Sequence, residues 1–237
     1  MKFGISEEGR IIEDQVLRFL NEKIIPAEKQ VIKEEHDVND GRDTPTMKRL
    51  RAEAKALGLW NLYLPDKKWG AGLSNHDYSI LCEQMGRSSI ASRVFNCNAP
   101  DTGNAEILAE FGSEAQKAEY LRPLLEGSIR SCFSMTEPDS SGSDPTGLLT
   151  TAVRDGDEWV INGHKWFTSG AVGAKFVIVM VVTNPQGNGY ERASMIIVPT
   201  DAPGFNLVRS VSVMGHVGGS GHCEIQYHNC RVPITNL

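Results

Sequence analysis

The sequence predicts an α+β protein with segregated domains, an all-α helical bundle followed by an antiparallel β-barrel or sandwich. Apolar residues recur at helical spacing through about the first 130 residues, and short β-rich segments separated by turn residues follow. No helix of about ten residues lies between those strands, so we expect antiparallel pairing and no βαβ units. We place the domains at residues 1–130 and 131–237.

Turn and capping residues delimit five helices in the first part. An apolar stripe from Ile12 to Ile24 precedes Pro26, and Thr44-Pro45 starts a helix that Gly58 ends. Three further helices are expected: one from the capping box Ser74-x-x-Asp77 to Gly86, one apolar helix over about 92–111, and one from Ser113 to Gly127.

Eight β-rich segments follow, at residues 131–136, 149–154, 158–161, 165–169, 176–183, 193–199, 205–213 and 222–227. Asp155-Gly156 and Asn162-Gly163 are strong hairpin signals, because a type I′ turn needs positive φ at both central residues.

Composition narrows the class of protein. The 237 residues carry a formal charge of −6, which argues against a general nucleic-acid binder. No apolar segment approaches the ~18–20 residues of a transmembrane helix. The acidic N-terminus resembles neither a signal nor a transit peptide, so we expect a protein of the bacterial cytoplasm or an organelle matrix, not a secreted one. Five scattered cysteines indicate reduced thiols.

Several familiar chemistries lack their motifs. The sequence has no phosphate-binding GxxxxGK[ST] loop, no GxGxxG before a helix and no GxSxG elbow. Gly215–Gly221 is glycine-rich but lies between two strands, which favours a flexible connection. His222 and His228 are six residues apart in a β region, so no metal site is predicted.

Two segments at strand ends carry the remaining chemistry. Residues 132–144 pass from a strand through a proline turn into a loop of small polar residues, where a ligand can approach the backbone. Residues 160–170 return from a hairpin with two adjacent aromatics, Trp166 and Phe167, of which one should face the core and the other a surface or pocket. The pattern suits a planar polarised cofactor, and a core tryptophan beside a polar turn is the alternative.

These segments resemble signatures of the acyl-CoA dehydrogenase family. Met135-Thr136-Glu137-Pro138 with Gly142-Ser143-Asp144 is similar to the first signature, and residues 160–170 are similar to the flavin-stacking strand. Further matches, in the order of the family, extend the resemblance over nearly all of residues 10–237. Residues 95–104 and 221–224 look most like the subgroup acting on long or unusual acyl chains.

The resemblance implies FAD as cofactor and assigns roles to several residues. Phe133, Met135 and Thr136 would line one edge of the isoalloxazine, and Trp166 would pack on the ring system. The Thr168 hydroxyl would contact flavin N5, and Ser143 would lie between cofactor and acyl-CoA. The full set implied to bind the cofactor is Phe133, Ser134, Met135, Thr136, Gly142, Ser143, Trp166, Phe167 and Thr168.

The implied reaction removes an α-proton with a carboxylate and transfers a β-hydride to FAD, as in the β-oxidation of fatty acids. The family places that carboxylate in a third, four-helix domain, so no catalytic residue is expected within residues 1–237, and Glu137 is interpreted as structural. We therefore expect an incomplete chain that is inactive alone. The resemblance also implies an electron-transfer flavoprotein or similar acceptor and a homodimer or homotetramer.

Two local departures and two alternatives accompany this interpretation. The family's common arginine is absent from His216-Val217-Gly218, and the loop 139–143 is one residue longer than usual. A flavin-dependent monooxygenase or nitroalkane oxidase would share the fold. A short, non-catalytic module that binds flavin or CoA would lack oxidoreductase activity altogether.

Overall fold

The computed structural model describes residues 4–38, 40–214 and 221–237. A helical part comes first and a curled, half-barrel sheet follows, which confirms the predicted fold class. The helices are α1 (Glu7–Phe19), α2 (Ile25–Val38), α3 (Pro45–Ala56), α4 (Asn75–Met85), α5 (Ala91–Val94), α6 (Asp101–Phe111), α7 (Glu114–Gln116) and α8 (Arg122–Glu126). No helix in these described ranges is long and apolar enough to cross a membrane.

The helix caps follow the predicted residues. The Thr44 side chain accepts a hydrogen bond from Met47 N, and Ser74 accepts one from Asp77 N. Ser113 forms a complete capping box with Gln116. The Asp77 carboxylate, in turn, accepts from the backbone and hydroxyl of Ser6 at 2.8 and 2.9 Å, so one aspartate ties the N-terminus of α1 to that of α4.

Two prolines lie inside continuous helical segments because each follows a π-helical turn. The turn Leu20–Ile24 joins α1 to α2 ahead of Pro26, and Lys117–Leu121 joins α7 to α8 ahead of Pro123. Proline lacks the N–H that an α-helix needs and clashes with the preceding turn. A wider π turn gives room for the ring, so the helix continues past Pro26.

The prediction of a single helix over 92–111 was wrong, because residues 95–100 interrupt the helix. Asn96 has a positive φ of 55°, and Pro100 can neither donate a hydrogen bond nor let Ala99 adopt helical geometry readily. The short α5 therefore ends at Val94, and α6 restarts at Asp101.

Seven strands form one sheet in the order β1-β4-β2-β3-β7-β6, with β5 on the other edge of β4. The strands are β1 (Ser131–Ser134), β2 (Thr151–Asp155), β3 (Glu158–Ser169), β4 (Phe176–Val182), β5 (Ala193–Pro199), β6 (Phe205–Val211) and β7 (His222–Pro233). Most pairs are antiparallel, but β4 runs parallel to β1 and to the first residue of β2. The hairpin of β2 and β3 makes this crossover, so the expectation of purely antiparallel pairing was wrong there.

The predicted hairpin at Asn162-Gly163 was also wrong. Residues 158–169 form one strand, in which Asn162 lies opposite a bulge of β7 formed by His228 and Asn229. The Asn162 amide exchanges hydrogen bonds with Asn229, at 3.2 Å to its side chain and 2.8 Å from its backbone N–H. The hairpin near Asp155-Gly156 is confirmed, with Gly156 at a φ of 63°.

Candidate functional site

The two segments singled out in the sequence lie side by side. The backbone N–H of Trp166 on β3 donates to the Thr136 carbonyl at 3.0 Å, just past the end of β1. Two residues away along each segment, the hydroxyls of Ser134 and Thr168 are 3.0 Å apart. The fold thus joins residues about 30 positions apart into one surface, here called the signature face: residues 133–136, 142–143 and 166–168.

A buried ion pair fastens the two segments beneath this face. Lys165 is fully buried and its Nζ donates to the Glu137 carboxylate and to the Met135 carbonyl, both at 2.8 Å. The same carboxylate accepts from the backbone N–H groups of Leu149 and Thr150 at 2.7 and 2.8 Å. Glu137 therefore connects the segment after β1 to the segment before β2 and to strand β3, which supports its structural interpretation.

The environment shifts the pKa values of both partners. Burial raises the pKa of the Glu137 carboxyl, but the hydrogen bonds from Lys165 and Thr150 outweigh it and hold that pKa below its ordinary value. Burial lowers the pKa of Lys165, partly offset by the Glu137 charge. We conclude that Glu137 is an ionised carboxylate with its oxygens already occupied, unsuited to accept a proton from a substrate.

The expectation that Trp166 and Phe167 face opposite sides was wrong. A bulge interrupts the register of β3 between Lys165 and Thr168, and Phe167 takes a φ of 50°. Lys165 and Thr168 point inward, whereas the two aromatic rings lie on the outer side with their centroids 4.9 Å apart. Trp166 is half-buried and Phe167 is 41% exposed, so the bulge presents both rings together.

Thr168 lies on the inner side of the signature face. Its side chain is 1% exposed and its hydroxyl is engaged by Ser134, which is itself fully buried. In this geometry the hydroxyl braces β3 against β1 behind the aromatic rings. The structure does bring Ser134 and Thr168 to the signature face, but as its support.

The outer surface beside the rings offers unpaired donors. Among the described residues, the backbone N–H groups of Met135 and Thr136 and the Thr136 hydroxyl have no hydrogen-bond acceptor. Gly142 lies over Thr136, since a Cβ added to it would stand 3.0 Å from Thr136 Cγ2. Ser143 is exposed at the rim, and Phe133 packs against the helical core.

These features fit a flat heterocycle with hydrogen-bond acceptors along one edge. Two aromatic rings supply a wall, and the free N–H groups and hydroxyl supply donors at its side. Residues that would hold FAD here are Met135, Thr136, Trp166 and Phe167. His216-Val217-Gly218, where the family's common arginine is missing, lies outside the described residues.

Sequence reasoning missed Lys165. Its signal was present in the alternation of β3, because Ile161 and Lys165 fall on the same inward side of the strand. A lysine at an inward position needs a buried anionic partner. Glu137, which follows the strand β1, was the available candidate.

Comparison with known families gives two matches that together span most of the chain. Residues 6–128 match the model of the N-terminal domain of acyl-CoA dehydrogenases, and residues 132–230 match that of the middle domain.

Individual relatives agree with the family models. The chain is 45% identical over 242 residues to the probable acyl-CoA dehydrogenase FadE2 of Mycobacterium tuberculosis, a match that covers 100% of this chain and 59% of that protein. A provisionally assigned acyl-CoA dehydrogenase structure from Mycobacterium abscessus is 42% identical with a TM-score of 0.93, over 98% of this chain and 60% of that one. A glutaryl-CoA dehydrogenase from Mycobacterium smegmatis in complex with FADH2 is 26% identical with a TM-score of 0.75, over 98% and 55%. The chain thus spans less than two thirds of each.

Proposed function

The chain belongs to the acyl-CoA dehydrogenase family, and from that membership we propose that it forms the flavin-facing part of an FAD-dependent enzyme. The proposed reaction is the α,β-desaturation of an acyl-CoA to the trans-2-enoyl-CoA. One observation carries the proposal: a bulge in β3 places Trp166 and Phe167 on the same outer side, next to the unpaired donors of Met135 and Thr136. We keep residues 1–130 and 131–237 as the proposed helical and flavin-facing domains.

Each residue of the signature face has a proposed task. The two aromatic rings orient FAD by stacking, and the N–H groups of Met135 and Thr136 bind the polar edge of its ring. Gly142 leaves space for a close approach, and the Ser143 hydroxyl lies where cofactor and acyl-CoA would meet. When bound, FAD supplies a hydride acceptor.

The α-proton has to be removed by a group other than Glu137. That carboxylate is buried and already accepts from Lys165, Leu149 and Thr150, so it has no route to a substrate. We propose that the base is a carboxylate from the family's helical C-terminal domain, as the resemblance implies. Reduced FAD would pass its electrons to an electron-transfer flavoprotein or similar acceptor, and the complete enzyme would be a homodimer or homotetramer.

The test uses the full-length protein purified with its flavin. Under anaerobic conditions, a suitable acyl-CoA should bleach the visible flavin absorbance and yield the enoyl-CoA. Thr136→Val removes one donor and should weaken FAD binding about tenfold, the worth of one hydrogen bond. Thr151→Val, on the exposed strand β2, is the matched control and should leave affinity unchanged.

Three other outcomes would contradict the proposal. Bound FAD that no acyl-CoA reduces would exclude the dehydrogenase. Oxygen insertion by the reduced flavin would identify the monooxygenase or nitroalkane oxidase alternative. A folded full-length protein that binds no flavin would leave a non-catalytic module.

A further inference from the structure

A polar cavity of about 370 Å³ lies between the helical part and the end of β3. Its wall is formed on one side by the segment around α5 and on the other by strand ends of the sheet. The side chains that carry polar groups into it are Ser92, Arg93, Asn98, Arg130, Ser169 and His222.

The two arginines of this wall differ in their charge partners. Arg93 pairs with Glu35 and lies 3.8 Å from Asp43. Arg130 is half-buried and donates one N–H to the Gly41 carbonyl at 2.8 Å, but no carboxylate within the described ranges lies at ion-pair distance from it. A guanidinium has five N–H donors, so Arg130 retains positive charge and donor capacity.

Hydroxyl, amide and imidazole groups complete the lining. The Ser169 hydroxyl and His222 Nδ1 are 2.7 Å apart, so the two groups are oriented toward each other. Ser92 and Asn98 add a hydroxyl and an amide from the helical side. A plain alkyl chain would gain little in such surroundings and would desolvate the guanidinium without replacing its hydrogen bonds.

The cavity adjoins the signature face. Ser169 and Gly170 directly follow Thr168 along β3, and Pro100 packs on Gly170, where an added Cβ would stand 3.4 Å from the proline ring. A molecule held at Trp166 and Phe167 could therefore extend one end toward Arg130.

We propose that this cavity, here called the arginine pocket, binds an oxyanion, a carboxylate or a phosphate ester, at the acyl end of the substrate. This assignment rests on the proposed function. The planar guanidinium of Arg130 matches the two oxygens of either group, and the neighbouring hydroxyls and amide supply further donors. The substrate class that follows is an acyl-CoA with a second anionic group on its acyl chain.

The first experiment measures the pocket without catalysis. Inorganic phosphate and acetate are titrated calorimetrically into the full-length holoenzyme and its variants. The unaltered enzyme should bind both anions, and Arg130→Met should bind them at least tenfold more weakly. Arg130→Lys should retain part of the binding, because it keeps the positive charge but loses the paired N–H donors of the guanidinium. Arg154→Met, on the exposed end of β2, is the control and should bind as the unaltered enzyme does. Equal binding by Arg130→Met, or none by the unaltered enzyme, would overturn the pocket.

The second experiment compares substrates. Acyl-CoAs that end in a carboxylate or carry a phosphate ester are matched with neutral analogues of equal length. Arg130→Met should raise KM at least tenfold for the anionic members, with little change for the neutral ones. The anionic series with the lower KM, carboxylate or phosphate ester, identifies the oxyanion that the pocket binds.

An equal effect of Arg130→Met on anionic and neutral substrates would refute the assignment of the pocket to the acyl chain. If the unaltered enzyme reduced its flavin with none of these thioesters, the proposed function would fail instead. The phosphate and acetate titration would still decide whether the oxyanion pocket exists.

Discussion

The Glu137 carboxylate is held by four donors from three parts of the chain. Lys165 and the backbone N–H groups of Leu149 and Thr150 approach within 2.8 Å, and Ser140 adds a hydroxyl at 3.2 Å. An ion pair taken out of water is weak evidence for stability, since desolvation opposes its Coulomb attraction. Removing one partner is a different matter, because it leaves the other charge buried alone.

Glu137→Gln should destabilise the full-length protein by about 3 kcal/mol or more, because Lys165 loses its counter-charge. Urea denaturation measures the change. The double variant with Lys165→Met carries no buried charge, and its glutamine oxygen can still accept from one of the two backbone N–H groups, so it should recover part of the loss. A double variant as unstable as the sum of both single ones would contradict the coupling.

The same residue sets an acid dependence. The folded protein holds the pKa of Glu137 below its ordinary value of 4.5. The stability that the ionised carboxylate contributes is therefore present above pH 4.5 and is lost as pH falls through the lower, folded-state pKa. Below pH 4.5 the unaltered protein should lose stability more steeply than Glu137→Gln, and parallel curves would argue against this.

At the scale of the element, β3 is the strand that makes the site. Two bulges interrupt its pairing with β7, one on β7 opposite Asn162 and one on β3 itself between Lys165 and Thr168. The second bulge turns Phe167 to the same side as Trp166 and keeps Lys165 and Thr168 inside. A regular strand would have buried one ring of the aromatic pair.

Local signals predicted the caps, the hairpin near Asp155 and the order of helices before strands, because each depends on a few neighbouring residues. The hairpin expected at Asn162-Gly163 was wrong because β3 continues through both residues, and the irregularity belongs to its partner strand β7. This pairing depends on Asn229, 67 residues away from Asn162. The pair of Lys165 with Glu137 and the parallel partner of β1 are likewise long-range contacts, which no short window of sequence contains.

Gly163→Ala tests the close approach of β3 to Thr150. A Cβ there would stand 2.3–2.5 Å from the side-chain atoms of Thr150, so the variant should lose about 1–3 kcal/mol of stability. Gly103→Ala is the control, since its Cβ would meet nothing within 4 Å in α6 and alanine favours the helix by up to ~1 kcal/mol. Thermal denaturation of both variants measures the difference, and an unchanged Gly163→Ala midpoint would contradict the close approach.

At the scale of the whole molecule, the helices and the sheet share one core. Phe176, Ile178 and Ile197 of the sheet belong to the same buried cluster as the helical apolar residues. Tyr120 packs on Phe176 with ring centroids 4.8 Å apart. Both the signature face and the arginine pocket depend on the position of β1 and β3 against this core. The contact between the helical part and the sheet therefore determines the geometry of the site.

Asp101 links the helical part to the sheet. At the start of α6, its buried Oδ1 accepts from the backbone and hydroxyl of Ser131 at 2.8 and 2.7 Å, at the start of β1. Asn104, one turn later, donates to the Ser131 hydroxyl and the Cys132 carbonyl at 2.9 and 3.0 Å. The first residues of the sheet are thus positioned by one helix end.

Asp101→Ala should cost about 1–3 kcal/mol, because the Ser131 N–H loses its buried acceptor. Asp101→Asn keeps an acceptor oxygen and removes a buried charge, so it should lose much less. If the contact of Asp101 with Ser131 positions β1, Asp101→Ala should also weaken FAD binding in the full-length protein, whereas Asp101→Asn should not. Paired measurements of urea stability and flavin dissociation decide this. A variant that loses stability while retaining flavin affinity would show that β1 is held by the sheet alone.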